Sequence, residues 1–148
     1  MSSLAARHAA AARQQEILAL TLWGEAGDRP VRAIEALASL VVNRARIAAG
    51  PGGPRHWGLG VAGVCRAPFQ FPCWNRNNPR HAAMVELAPG DGGLAICRRI
   101  AARAMGGGLP DPTGGATHWH DAALLPGWAI GQVPLAEIGG LMFYRLDP

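Results

Sequence analysis

The sequence predicts a single, mainly helical α+β domain with a small β ribbon near its C-terminus, and three observations carry that expectation. Two apolar stripes of helical period, Leu18 with Leu22 and Ile34 with Leu37 and Val41, flank a Gly- and Pro-containing turn at residues 24–30. Residues 92–105 repeat the helical pattern. After Gly106-Gly107-Gly108 the pattern changes to short β-prone runs, at residues 116–120 and 138–146. A chain of 148 residues has room for one such core.

The first 14 residues form an arm rich in Ala and Arg, followed by the domain proper at 15–148. The arm lacks a continuous apolar stretch, so no signal peptide is read. Synthesis in the cytoplasm and another route outward are expected. A first helix is expected over 12–25, broken by Gly24, Gly27 and Asp28. Asp28 is then placed to cap a second helix with Pro30 in its first turn, and Asn43-Arg44 closes that helix. Gly50-Pro51-Gly52-Gly53-Pro54 is a loop. Residues 61–78 read as irregular because Pro68 and Pro72 prevent a continuous helix, although this stretch carries two Phe and a Trp. Rings on such a segment must pack under the domain or line a cleft. Helices over 80–88 and 92–105 follow, separated by Pro89-Gly90.

With 49% hydrophobic and 16% charged residues, the chain is not a disordered tail. No apolar run approaches the ~20 residues that span a bilayer, so membrane insertion is not expected. All 14 basic residues are Arg, and the net charge is +4. This favours an anionic polymer as partner: nucleic acid, anionic lipid or bacterial cell wall.

Glu25 is the residue with the most chemical content. On a helix it stands three residues beyond Leu22 and seven beyond Leu18, on the stripe that faces the core. Loss of water there disfavours the carboxylate and raises its pKa, which suits a general acid working near neutral pH. The plainer alternative is a Glu near a helix end that bends out to solvent.

Three cysteines cannot all pair within one chain. Cys65 and Cys73 bracket a short loop and can bridge only in an oxidising compartment, while Cys97 lies in a helical run where a buried free thiol is the ordinary state. His118 and His120, two apart on a strand, can offer two nitrogens to one metal, with Asp121 or a cysteine completing the set. Spacing fixes no third ligand, so no metal and no other cofactor is expected. A helix-turn-helix reading of the first two helices is opposed by Val31, Ala33, Ile34, Ala36 and Leu37, which give the second helix almost no polar group to read a base edge.

Four motifs stand in order along the chain: Trp23-Gly24-Glu25-Ala26, Val42-Asn43-Arg44, Gln70-Phe71, and Asp111-Pro112-Thr113-Gly114-Gly115-Ala116-Thr117. In this order and spacing the chain resembles the spore-cortex-lytic cell-wall hydrolases, the SleB/CwlJ group, over residues 15–145. It departs from them at Pro72, where a Ser or Thr is frequent, and at Leu141, where a His is common. The resemblance implies a lysozyme-like domain that cleaves peptidoglycan glycan strands by a lytic transglycosylase route, with Glu25 as the catalytic acid. A water-using muramidase with a second carboxylate is the alternative. Gln70 and Phe71 would line the glycan groove, with the turn from Thr113 to Thr117 as its opposite rim. Trp74, His118 and Trp119 adjoin these motifs and join the expected substrate-binding set, because flat rings stack on the apolar faces of pyranoses. A monomer released by a phage-type holin or carried on a particle is the expected setting, with no nucleic-acid partner.

Overall fold

The computed structural model describes residues 3–68 and 70–147. Five α-helices, α1 (Leu4–Ala26), α2 (Val31–Ala49), α3 (Gly60–Arg66), α4 (Pro79–Val85) and α5 (Gly92–Met105), precede a three-stranded sheet. Its strands are β1 (His118–Asp121), β2 (Ala136–Ile138) and β3 (Leu141–Tyr144). The expected mainly helical α+β class is therefore what the chain adopts.

Helix α1 is the central element and packs against α5, α3, α2 and α4. Its stripe is sealed where the sequence places it, with Leu18 and Leu22 fully buried. It starts earlier than the expected residue 12, because Ser3 caps it by accepting from the Ala6 N–H at 3.1 Å, and the Ala-rich stretch behind that cap has high helix propensity. The apolar stripe marks only the part of α1 that touches the core, so the exposed first turns carry no periodic signal. Helix α2 buries Ile34, Leu37 and Val41 beneath α1, α3 and α5.

Several local expectations need correction. Gly24 does not break α1. It lies inside the helix, where a Cβ would stand 2.7 Å from Cys73 Cβ and 2.8 Å from Met84 Sδ, so glycine is needed for close approach of the 72–74 turn. Asp28 does not cap α2. Pro30 occupies the cap position with extended backbone, and its carbonyl accepts from the Ala33 and Ile34 N–H groups. The stretch 61–78 is less irregular than expected, since α3 fits before Pro68 and a 3-10 turn at Pro72–Trp74 uses Pro72 as its first residue. Seven residues are too few to display a helical period.

The sheet has the order β1-β3-β2 and is antiparallel throughout, with Trp119 opposite Phe143 and Ala136 also opposite Phe143. The sequence suggests only a strand pair; β2 is a third strand too short to read by alternation. Leu141 and Phe143 point into the core. By strand alternation Trp119 shares their face of the sheet, and His118, His120, Met142 and Tyr144 share the other. Cys65, Cys73 and Cys97 are all buried free thiols. No helix among the described residues is long and apolar enough to cross a membrane.

Candidate active site

Glu25 is the second-last residue of α1 and opens into a cleft of about 320 Å³. The cleft is lined by Glu25, Arg29, Gln70, Pro72, Trp119, His120 and Asp121. The carboxylate is half-buried, and its Oε2 accepts from the Cys73 N–H at 2.8 Å. Burial raises its pKa above the ordinary carboxylate value, opposed in part by the Cys73 thiol and N–H and by the charge of Arg80. Arg80 also satisfies the end of α1, donating from Nε to the Gly24 carbonyl at 2.9 Å and from Nη2 to the Trp23 carbonyl at 3.3 Å. One turn earlier, Thr21 accepts from the indole N–H of Trp74 at 2.9 Å. Thr21 and Glu25 together hold the 72–74 turn against α1.

The wall opposite α1 is built on the three remaining motifs. Asn43 donates to Asp111 Oδ2 and to the Ala116 carbonyl, both at 3.0 Å. Asp111 in turn accepts from the Thr113 N–H, the Thr113 hydroxyl and the Gly115 N–H, at 2.8, 2.7 and 2.9 Å. These donors hold the Asp111 pKa below the usual range despite desolvation that pushes it upward. Arg44 donates from Nε to the Thr117 carbonyl and from Nη1 to Gln70 Oε1, both at 2.6 Å. Its guanidinium lies over the Trp57 ring, 4.6 Å from the centroid, and burial lowers its pKa to about 10.

The expected substrate-binding residues divide into three groups. Gln70 and Trp119 line the cleft with Glu25. Trp74 and Phe71 line a neighbouring hollow of about 390 Å³ with Arg66 and Asn75, and Pro72 is the ridge shared by both. Phe71 is only 4% exposed and stacks on Trp119, with centroids 6.2 Å apart and planes 22° apart, so it is mainly a support for that ring. Thr117 is a correction. It is 1% exposed, its N–H donates to the Tyr144 carbonyl at 2.8 Å, and its hydroxyl accepts from the Leu146 N–H at 3.1 Å, so it braces the wall from behind. Thr113, buried in the Asp111 turn, does likewise.

His118 lies on the far face of the sheet, packed edge-on to Trp57 and tilted against Trp128. Desolvation, with the charges of Arg44 and His56, lowers its pKa to about 4. It is not among the residues that line the Glu25 cleft. His120, not singled out as a sugar ligand, reaches the cleft. The Asp121 carbonyl can only accept, so His120 Nδ1 donates to it at 2.7 Å, leaving Nε2 for the Tyr144 hydroxyl at 2.8 Å. No cluster of three metal-ligating side chains occurs among the described residues.

Sequence reasoning places none of Arg44, Asn43, Arg80 and Cys73 at the cleft. Arg44 does leave a signal, because Leu37, Val41 and Arg44 repeat the spacing of Leu18, Leu22 and Glu25. Of the other acids, Glu16 and Glu35 form ion pairs with Arg98 and Arg103. Asp121 is the one that shares the Glu25 cleft, paired with Arg29 Nη2 at 2.5 Å.

The cleft thus gathers a half-buried carboxyl whose pKa burial raises, an indole and an amide. Known proteins share the fold and, over most of the chain, the sequence pattern. Two solved structures share the fold: the catalytic domain of the Bacillus cereus SleB protein, at 20% identity, and the catalytic domain of the germination-specific lytic transglycosylase SleB from Bacillus anthracis, at 21%. Each superposes with a TM-score of 0.65 over 89% of this chain, covering 89% and 93% of the respective relatives. No curated protein matches the chain in sequence. The family model for Cell Wall Hydrolase matches residues 28–144, beginning three residues after Glu25 and taking in the Asn43-Arg44, Gln70 and Asp111–Thr117 motifs. The chain belongs to the Cell Wall Hydrolase family.

Proposed function

We propose that the chain cleaves the glycan strands of peptidoglycan by a lytic transglycosylase route in which Glu25 acts first as acid and then as base. The observation that carries this reading is the half-buried Glu25 carboxyl at the cleft, whose pKa burial raises above that of an ordinary Glu. Glu25 protonates the glycosidic oxygen as the bond from muramic C1 breaks. It then takes a proton from the C6 hydroxyl of the same muramyl unit as that oxygen closes on C1. Water is not consumed, and the new end is 1,6-anhydromuramic acid. The Bacillus anthracis relative is a lytic transglycosylase, which supports the same route here.

One observation favours a second reading. Asp121 faces the same cleft, and hydrogen bonding from the Ala123 N–H together with the charge of Arg29 holds its pKa low, so it is ionised as a base or nucleophile must be. A muramidase built on Glu25 and Asp121 would add water across the bond. Mass spectrometry of products from defined strands separates the two. Anhydro ends without solvent oxygen support the transglycosylase, whereas reducing muramic acid carrying solvent oxygen, lost in Asp121→Asn, would replace it with the muramidase.

A further inference from the structure

An amide can meet a substrate with its oxygen, which accepts, or with its NH2, which donates. Which end Gln70 turns to the cleft is decided by Arg44, since a guanidinium has donors only. Arg44 Nη1 donates to Gln70 Oε1 at 2.6 Å, so the oxygen is occupied from behind and the NH2 is left for the cleft. Arg44 itself has little freedom. It is 5% exposed, tied through Nε to the Thr117 carbonyl and covered by Trp57. Thr117 is in turn fixed to Tyr144 of β3. Among the described residues Arg44 has no carboxylate partner, an arrangement that leaves its hydrogen-bonding capacity to two neutral oxygens.

We propose that Arg44 is a positioning residue that locks the Gln70 amide as a hydrogen-bond donor, and that Gln70 thereby selects a glycan group that accepts, the carbonyl oxygen of an N-acetyl substituent, over an ammonium that can only donate. The inference rests on the reading of the cleft as a glycan groove. It narrows that reading, because an amide free to rotate would turn its oxygen to an ammonium as readily as its NH2 to a carbonyl. The locked amide favours acetylated over de-N-acetylated strands.

The decisive variant is Gln70→Glu, which keeps an oxygen for Arg44 but replaces the donor with a second acceptor. It is made in the inactive Glu25→Gln protein, and affinity is measured for soluble N-acetylated and chemically de-N-acetylated strands, with melting followed in parallel. The expected result is an unchanged or raised melting temperature and an affinity loss of about tenfold for acetylated strands, with little loss for de-N-acetylated ones. Gln70→Met, which removes both ends of the amide without adding charge, gives the same pattern if the Glu variant melts early. Equal binding of acetylated strands by either folded variant overturns the inference. In otherwise active protein, Arg44→Lys should lower kcat/KM when Gln70 is present and cause no further loss in Gln70→Ala. Additive losses would mean that Arg44 does not act through Gln70. Failure of the wild-type chain to cleave glycan strands defeats the groove reading and this inference together. Cleavage by wild type with a fully competent Gln70→Glu defeats the inference alone.

Discussion

Helices α1 and α2 solve the same local problem in opposite ways. Each carries a charged residue on its apolar stripe, Glu25 after Leu18 and Leu22, and Arg44 after Leu37 and Val41. Glu25 keeps one side open to a cleft and receives one backbone donor, so desolvation is left partly uncompensated and its pKa rises. Arg44 is closed off, with two oxygens at 2.6 Å and an aromatic face against it. The difference teaches that position on a stripe identifies a charge under tension, while its partners decide whether that tension is used in chemistry or in holding a wall.

The comparison is broken most directly by exchanging the two kinds of loss. Glu25→Gln keeps shape but cannot donate a proton, so wall clearing should fall by about 10² to 10⁴ while the melting temperature holds or rises. A well-folded Glu25→Gln protein that retains more than a tenth of wild-type turbidity clearing would remove Glu25 from the chemistry. Arg44→Ala should do the reverse in proportion. It orphans the buried Thr117 carbonyl and the Gln70 oxygen, at a cost of about 1–3 kcal/mol for a buried acceptor left unpaired, visible as a lowered denaturation midpoint.

Gly24→Ala tests the seam between the two walls. The new Cβ would press on Cys73 and Met84, costing about 1–3 kcal/mol and displacing the N–H that Cys73 donates to Glu25. Both the melting temperature and the rate should drop; an unchanged rate would show that the Cys73 contact is dispensable. The smallest effect is in acid. His118 has a folded pKa near 4, below the ordinary 6.5, so the unfolded chain takes up its proton first and stability falls as pH drops from about 6.5 towards 4. Asp111, whose pKa is lowered, adds a loss at lower pH still as its carboxylate is protonated. His118→Phe should flatten the upper part of that slope in melts recorded between pH 7 and 4, and an unaltered slope would assign it to other groups.

The activity limb set by Glu25 runs the other way, because a general acid loses its proton as pH rises. In wild type, kcat should therefore decline on the alkaline side of a pKa higher than that of an ordinary Glu. A decline at the ordinary carboxylate value would mean that the cleft does not desolvate Glu25.

Legibility follows the range of each interaction. Helix α5 is readable to its ends because Asp91 caps it, accepting from the Leu94 N–H, and Gly106 follows its last turn. The start of α1 is hidden because exposed Ala-rich turns have propensity but no stripe. Helix α3 is hidden because it is barely two turns long and lies between irregular segments. In the site, Glu25, Gln70 and Trp119 are legible and do share a cleft, whereas Trp74 belongs to the adjoining hollow. Thr117 and His118 lie in or beside a motif but are not among the residues lining that cleft.

Local order along the chain determined the longer helices, the turn before Pro30, the β-prone end and the presence of a charged residue on a buried stripe, because each depends on neighbours within a few residues. Only the tertiary structure decided which polar groups meet. Arg44 finds Thr117 across 73 residues, Asn43 finds Asp111 across 68, and Glu25 finds Cys73 across 48. Such partners have no period to read. They are selected when the sheet closes on the helices and each buried donor must find an acceptor, which is why the same spacing on α1 and α2 yields an acid in a cleft on one and a sealed brace on the other.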